Sequence, residues 1–200
     1  MATEIEVKAH VHDSEALKAL LHEKAEYSGA FEKEDTYWFA PKPRTLVVPL
    51  AVPLAAPVSR IRLRREKRSL PDGSNASVTL ATYKNKEVRD GIEINDELEF
   101  EVNPGTEFER LLKAMGFKPG VRKRKQGWVF TREGITAELV EVQTLGWFIE
   151  LEILAGTIED DKREKTVTEG KEKLLNFLSA LGIGREAIES RYYTEMLAGD

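Results

Sequence analysis

The chain contains no cysteine. Disulfides, thiolate nucleophiles and cysteine-ligated zinc are therefore excluded together, and the composition suits a reducing compartment. Histidine is scarce as well, with His10, His12 and His22 all near one end. His10 and His12 fall on one face of a strand. No third ligand type stands near them in sequence, and a zinc site needs three or four converging ligands. No apolar run has membrane-spanning length. The longest, Thr45 to Val58, is interrupted by Pro49, Pro53 and Pro57. The first residues carry charge by Glu4 and lead into no apolar signal-peptide core, so a cytoplasmic protein with no membrane partner is expected. A strong excess of one charge is also missing. The net charge is only −5, so no global basic field gathers nucleic acid. The basic run Arg122–Lys125 also lacks the interleaved aromatics of an RNA-binding face.

What is present describes one globular domain spanning residues 1–200. The 200 residues are 41% hydrophobic and 32% charged, enough to bury a substantial core. Three helices are predicted. Asp13 caps a segment running to about Tyr27, with Leu17, Leu20 and Leu21 on one face. Thr106 and Glu109 read as a capping box ahead of Leu111, Leu112 and Met115, with Gly116 as the stop. The third helix carries Leu174, Leu175, Leu178 and Leu181 and ends at Gly182. The charged stretch Glu159–Lys165 reads as a solvated approach to it.

Alternation marks about eight strands: Ile5–Val11, Asp35–Phe39, Arg60–Arg65, Val78–Asn85, Ile92–Val102, Gln126–Thr131, Ile135–Val142 and Phe148–Leu154. Strands with a few inserted helices indicate an α+β protein rather than repeated βαβ units. Pro41–Ser59 holds five of the eight prolines and reads as a long ordered connection or lid. Pro71-Asp72-Gly73 marks an exposed turn. Trp38, Trp128 and Trp147 lie in strands and read as packing residues on the apolar face.

The charges are sorted by sign, strand by strand. Residues two apart share a strand face. Glu4, Glu6 and Lys8 alternate with Ile5 and Val7. Arg60, Arg62 and Arg64 alternate with Ile61 and Leu63. Glu97, Glu99 and Glu101 share a face, as do Glu150 and Glu152. Lys123 and Lys125 share one face and Arg122 and Arg124 the other, and Lys84 and Lys86 add to the cations. Like charges stacked along one strand repel. They are relieved where a divalent cation gathers the carboxylates and a polyanion gathers the guanidinium and ammonium groups. A closed eight-stranded antiparallel barrel with a polar lumen and helices packed on its apolar outside satisfies this pattern. Four carboxylates suit Mg²⁺ or Mn²⁺, and arginines suit phosphate oxygens.

The spelling of these strands resembles the CYTH, or triphosphate tunnel metalloenzyme, superfamily. "EIEVK" is similar to its ExExK motif, "DTYWFAP" to its D-x-Y-F-x-x-P strand and "RIRLR" to its L-R-x-R strand. "TYK" ending at Lys84, "RKRKQGW", "LGWFIELE" and the C-terminal "SRYYTEML" follow in the family's order. The resemblance implies metal ligation by Glu4, Glu6, Glu150 and Glu152. Val140 stands where the family often has Asp, so Glu138, or Glu141 after a shift of register, takes that place. The resemblance also implies phosphate binding by Lys8, Lys84, Lys123 and Lys125 and by an arginine pair, Arg60 and Arg62 or Arg62 and Arg64, and a catalytic role for Glu4, Glu6 and Lys8. Asn95 or Glu97 stands where the family carries Arg on its R-x-E-x-E strand. The implied activity is that of a class IV adenylyl cyclase, with ATP as substrate and Mg²⁺ or Mn²⁺ as cofactor. The alternative is a triphosphatase acting on inorganic tripolyphosphate, thiamine triphosphate or nucleotides. A non-catalytic polyphosphate binder ranks third. The expected state is a monomer or homodimer.

Overall fold

A computed structural model describes residues 2–41 and 60–199 of the chain. Beyond Pro41, the proline-rich connection of Pro41–Ser59 lies outside the described residues. The elements run β1 (Ala2–His10), α1 (Ser14–Lys24), β2 (Glu26–Phe39), β3 (Arg60–Ser69), β4 (Asn75–Arg89), β5 (Ile92–Glu101), α2 (Gly105–Ala114), β6 (Lys118–Arg132), β7 (Ile135–Val142), β8 (Gly146–Gly156), α3 (Asp160–Ala180), a 3-10 turn at Arg185–Ala187 and α4 (Tyr193–Ala198). The strands pair in the order β1-β5-β4-β3-β2-β6-β7-β8, and β8 returns to β1, so the sheet is a closed barrel. All eight pairings are antiparallel. This is the α+β barrel expected from the alternation.

The barrel wears its apolar faces outward. Ile5, Val7 and Ala9 of β1 have no exposed surface and pack with Leu17 and Leu21 of α1 and Leu174 and Leu178 of α3. Each fully buried Ile or Val there contributes about 1.5–3 kcal/mol. On the far side, Trp38, Leu63 and Ala81 pack beneath Leu112 of α2. Trp128 and Trp147 stack with centroids 5.6 Å apart and lean on the first of these clusters. The tryptophans thus pack on the apolar face. A third apolar cluster lies on the inner face instead. Phe31, Val140, Val142 and Phe148 share the strand faces of Lys33, Glu138 and Glu150 and meet Tyr193 of α4.

Several boundaries differ from expectation, each for a local reason. Asp13 does cap α1, accepting from the Ala16 amide at 2.9 Å. The helix stops at Lys24 because Glu26 already pairs with Thr131 of β6. No capping box forms at α2. The helix opens at Gly105 behind Pro104 with no side-chain cap, so Thr106 lies inside the first turn, and Glu109 reaches across to Arg65 of β3. The charged approach to α3 is helix from Asp160 onward, carrying exposed pairs such as Lys165–Glu169 at 3.8 Å. β2 is longer than predicted because the chain bulges between Tyr27 and Gly29 and then resumes pairing. Gly29 has φ +133, and a Cβ there would lie 2.5 Å from the Ser69 carbonyl oxygen. No helix among the described residues is long and apolar enough to cross a membrane.

Candidate active site

The inner faces of the strands enclose a cavity of about 510 Å³. All twelve residues singled out above line it: Glu4, Glu6 and Lys8 of β1, Arg60, Arg62 and Arg64 of β3, Lys84 of β4, Lys123 and Lys125 of β6, Glu138 of β7, and Glu150 and Glu152 of β8. The period of two explains the convergence. Each strand turns one face inward, and the charged set is that face. Arg122 and Arg124 are exposed. Glu141 accepts from Gln126 at 2.9 Å on the outside, which leaves Glu138 as the inward carboxylate of β7.

Carboxylates predominate on one wall and cations on the other, with Lys8 of β1 and Glu66 of β3 as exceptions. The barrel order places β7, β8, β1 and β5 side by side and β3, β2 and β6 across from them. Glu6 stands opposite Glu152 on one ladder and opposite Glu93 on the other, and Glu138 stands opposite Glu150. Facing them, Arg62, Arg64, Lys123 and Lys125 project from β3 and β6. Carboxylates directly opposite one another across a ladder raise each other's affinity for protons. Burial, then Glu4, Glu6 and Glu138, push the Glu152 carboxyl up to about 8. Burial also raises Glu6, and Glu4 adds to the rise while Lys84 opposes it. Burial opposes ionisation of Glu150 too, but Lys125 and Lys123 outweigh it and hold that carboxyl low.

The cations are held by ion pairs of defined geometry. Arg64 forks onto Asp35 of β2, with Nε donating to Oδ1 at 2.7 Å and an Nη to Oδ2 at 3.1 Å. Lys123 Nζ lies 3.2 Å from the same carboxylate. Arg62 donates to Thr82 at 3.0 Å and to Glu99 at 3.1 Å. Lys125 Nζ donates to Glu150 at 2.5 Å and lies 3.4 Å from Glu138. Lys84 Nζ lies 2.8 Å from both Glu4 and Glu97 and 3.5 Å from Glu6. Lys8 donates to the Arg191 carbonyl at 2.6 Å and sits 4.4 Å from the centroid of the Tyr193 ring. Arg60 lies 4.6 Å from the centroid of the Tyr192 ring.

Other lumen residues escaped the sequence reading. Lys33 pairs with Glu138, and Glu66, Glu93 and Arg68 also line the cavity. Lys33 sits in the run Glu32-Lys33-Glu34-Asp35, where the face it shares with Asp35 carries opposite signs. Its one available signal was its place two residues before Asp35.

Among the described residues, no three His, Asp or Glu side chains converge as ready-made metal ligands. Lysines stand between the carboxylates. The donor set nonetheless fits a hard divalent cation. It is all oxygen, it is crowded enough that Glu152 retains a proton near neutral pH, and no ion pair engages Glu152 among the described residues. Asn95 of β5 is fully buried and donates to Glu4 at 3.0 Å, and its own Oδ1 has no hydrogen-bond partner. An oxygen donor of that kind is one a hard cation accepts.

No family model matches the chain. Over 117 residues, 58% of the chain, it is 27% identical to MJ0240, a candidate adenylate cyclase of Methanocaldococcus jannaschii. That match spans 62% of the curated relative, less than two thirds of its length. Among solved structures, the PH1819 protein of Pyrococcus horikoshii OT3 superposes with a TM-score of 0.76 and 25% identity, over 98% of each chain. HpAC1 of Hippeastrum, a candidate adenylyl cyclase with a dominant triphosphatase activity, shares the fold at a TM-score of 0.57 and 18% identity. That superposition covers 100% of this chain and 97% of HpAC1.

Proposed function

We propose that this chain is a member of the CYTH or triphosphate tunnel superfamily and a metal-dependent enzyme that takes a triphosphate into its barrel. We assign it the conversion of ATP to cyclic AMP and pyrophosphate. The observation that carries the reading is the division of one enclosed cavity into a carboxylate wall and a cation wall. A cavity of about 510 Å³ has the size of a small-molecule site, and a metal triphosphate needs both walls at once.

Glu4, Glu6, Glu150 and Glu152, with Glu138 beside them, would hold Mg²⁺ or Mn²⁺. When bound, the metal supplies a Lewis acid for the α-phosphate and lowers the pKa of the ribose 3′-hydroxyl. Arg62 and Arg64 bind phosphate oxygens by their planar forks. Asp35 fixes the Arg64 fork from behind, so its geometry is set before the substrate arrives. Lys123 and Lys125 oppose the negative charge that grows on the leaving pyrophosphate. In the reaction the 3′-oxygen forms a bond to the α-phosphorus, its proton passes to water, and the bond from the α-phosphorus to the bridging oxygen breaks, the electron pair leaving with pyrophosphate. Lys8, on the strand of Glu4 and Glu6, would reach the phosphates from beside the Tyr193 ring.

The second reading is hydrolysis of inorganic tripolyphosphate, thiamine triphosphate or a nucleotide. The lumen itself favours it. Nine cationic and nine acidic side chains line the cavity, and that composition suits a metal-bound polyphosphate, which tripolyphosphate forms without a base. The fold does not select the nucleophile. Purified protein incubated with ATP and Mg²⁺ or Mn²⁺ separates the readings by product. Cyclic AMP and pyrophosphate in equal amounts support the cyclase, and orthophosphate supports the hydrolase. No product from ATP, tripolyphosphate or thiamine triphosphate sinks both, leaving a binding protein if the triphosphate still binds.

A further inference from the structure

The cavity is lined by nine carboxylates and nine cationic side chains, so it is close to neutral on its own. Neither a bare cation nor a bare polyanion enters such a site without breaking internal ion pairs. A cation must displace a lysine from its carboxylates, and a polyanion must draw a lysine or arginine away from them. Arriving together, each ligand takes over the group that the other sets free. This coupling is sharpest at Lys84. Its ammonium lies 2.8 Å from Glu4, 2.8 Å from Glu97 and 3.5 Å from Glu6, a position a divalent cation bound to Glu4 and Glu6 would contest. Lys84 stands on β4, between the carboxylate strand β5 and the arginine strand β3. Its ammonium is therefore within a side chain's swing of either wall. Beside it, the buried Asn95 Oδ1 has no hydrogen-bond partner, an oxygen that an ammonium already shared among three carboxylates does not satisfy.

We infer that Lys84 is a resident counter-cation whose transfer from Glu4, Glu6 and Glu97 to phosphate couples metal binding to triphosphate binding. The inference rests on the triphosphate reading above and adds to it an order of events. Without triphosphate the metal binds weakly because Lys84 competes for its ligands. With triphosphate, Lys84 has a new partner and the metal site is released. Linkage requires the converse, that metal strengthens triphosphate binding by the same factor.

The test is Mn²⁺ binding followed by water-proton relaxation, which separates Mn²⁺ on the protein from Mn²⁺ carried by free tripolyphosphate. Wild-type protein should bind Mn²⁺ roughly 5- to 150-fold more tightly when tripolyphosphate is saturating. In Lys84→Gln, Mn²⁺ alone should bind about tenfold more tightly than in wild type, and tripolyphosphate should tighten it further by much less. Lys84→Arg, which keeps the charge, should behave as wild type. Lys84→Met serves in place of the glutamine variant if that protein does not fold. An unchanged or weaker Mn²⁺ affinity in the uncharged variant overturns the inference, as does a wild-type affinity indifferent to tripolyphosphate. A wild-type protein that takes up Mn²⁺ neither alone nor with tripolyphosphate overturns the function proposed above as well. The two failures are therefore distinguishable.

Discussion

Glu6 of β1 and Glu152 of β8 stand directly opposite each other across their ladder, two carboxylates where facing strands ordinarily set opposite charges or apolar partners. The pair is unfavourable for folding and makes sense as a ligand site. Replacing Glu6 by Ala or Gln is expected to lower turnover by on the order of 10³-fold, several kcal/mol of transition-state stabilisation. The melting temperature should hold or rise, because a repulsive neighbour is gone. Product assays beside thermal melts decide this, and intact turnover would remove Glu6 from the metal site.

Arg62 and Arg64 share a strand face but should respond differently to truncation. Arg64 is forked onto the fully buried Asp35. Arg64→Ala leaves that carboxylate with Lys123 and the more distant Arg62, and is expected to cost about 3–5 kcal/mol of stability. Arg62 donates to Thr82 and to the more exposed Glu99. Arg62→Ala should cost little stability and weaken triphosphate binding by roughly 10- to 100-fold, one charge-assisted contact. Denaturant melts and binding isotherms on both variants make the comparison.

Asp35 also predicts the behaviour in acid. Burial disfavours its charge, but Arg64 and Lys123 outweigh burial and hold the carboxyl well below its ordinary value. The unfolded chain therefore takes up a proton first as pH falls. Stability is fully present above about pH 4 and is lost as pH drops from there toward the folded-state value. Asp35→Asn should be less stable at neutral pH, because Arg64 loses its partner, and should show a shallower decline below pH 4. Melting temperature measured from pH 2.5 to 7 tests the difference in slope.

Gly127 lies where β6 and β7 come close. A Cβ at that position would sit 2.0 Å from the Leu139 carbonyl oxygen, a backbone atom that cannot swing aside. Gly127→Ala is expected to destabilise the barrel by about 3 kcal/mol. Equilibrium unfolding in urea measures this. A neutral result would mean that the ladder there tolerates a shift the geometry does not allow.

The lumen was legible on several strands that repeat a sign at a spacing of two, although Arg122/Arg124 repeat one on the outer face. Glu4/Glu6, Arg60/Arg62/Arg64, Lys123/Lys125 and Glu150/Glu152 meet in one cavity because a barrel strand has one inward face. Lys33 and Glu66 were not legible, because Glu32-Lys33-Glu34-Asp35 and Arg65-Glu66-Lys67 mix their signs and the pattern averages out. The N-terminal half of β2 was hidden by the bulge at Gly29, which breaks the alternation. The capping box at Thr106 and Glu109 was a local pattern overridden by tertiary contact, since Glu109 is engaged by Arg65. Which wall faces which also lay beyond the sequence, because strand order is set by pairing across the whole chain.

A tripolyphosphate binding isotherm in the presence of Mg²⁺, run on wild type and on Arg62→Ala and Glu152→Gln, tests the central claim most directly. Opposed walls of one enclosed site predict one saturable site per chain, weakened by at least about tenfold by a change to either wall. Absence of binding, or binding indifferent to both substitutions, would contradict the account.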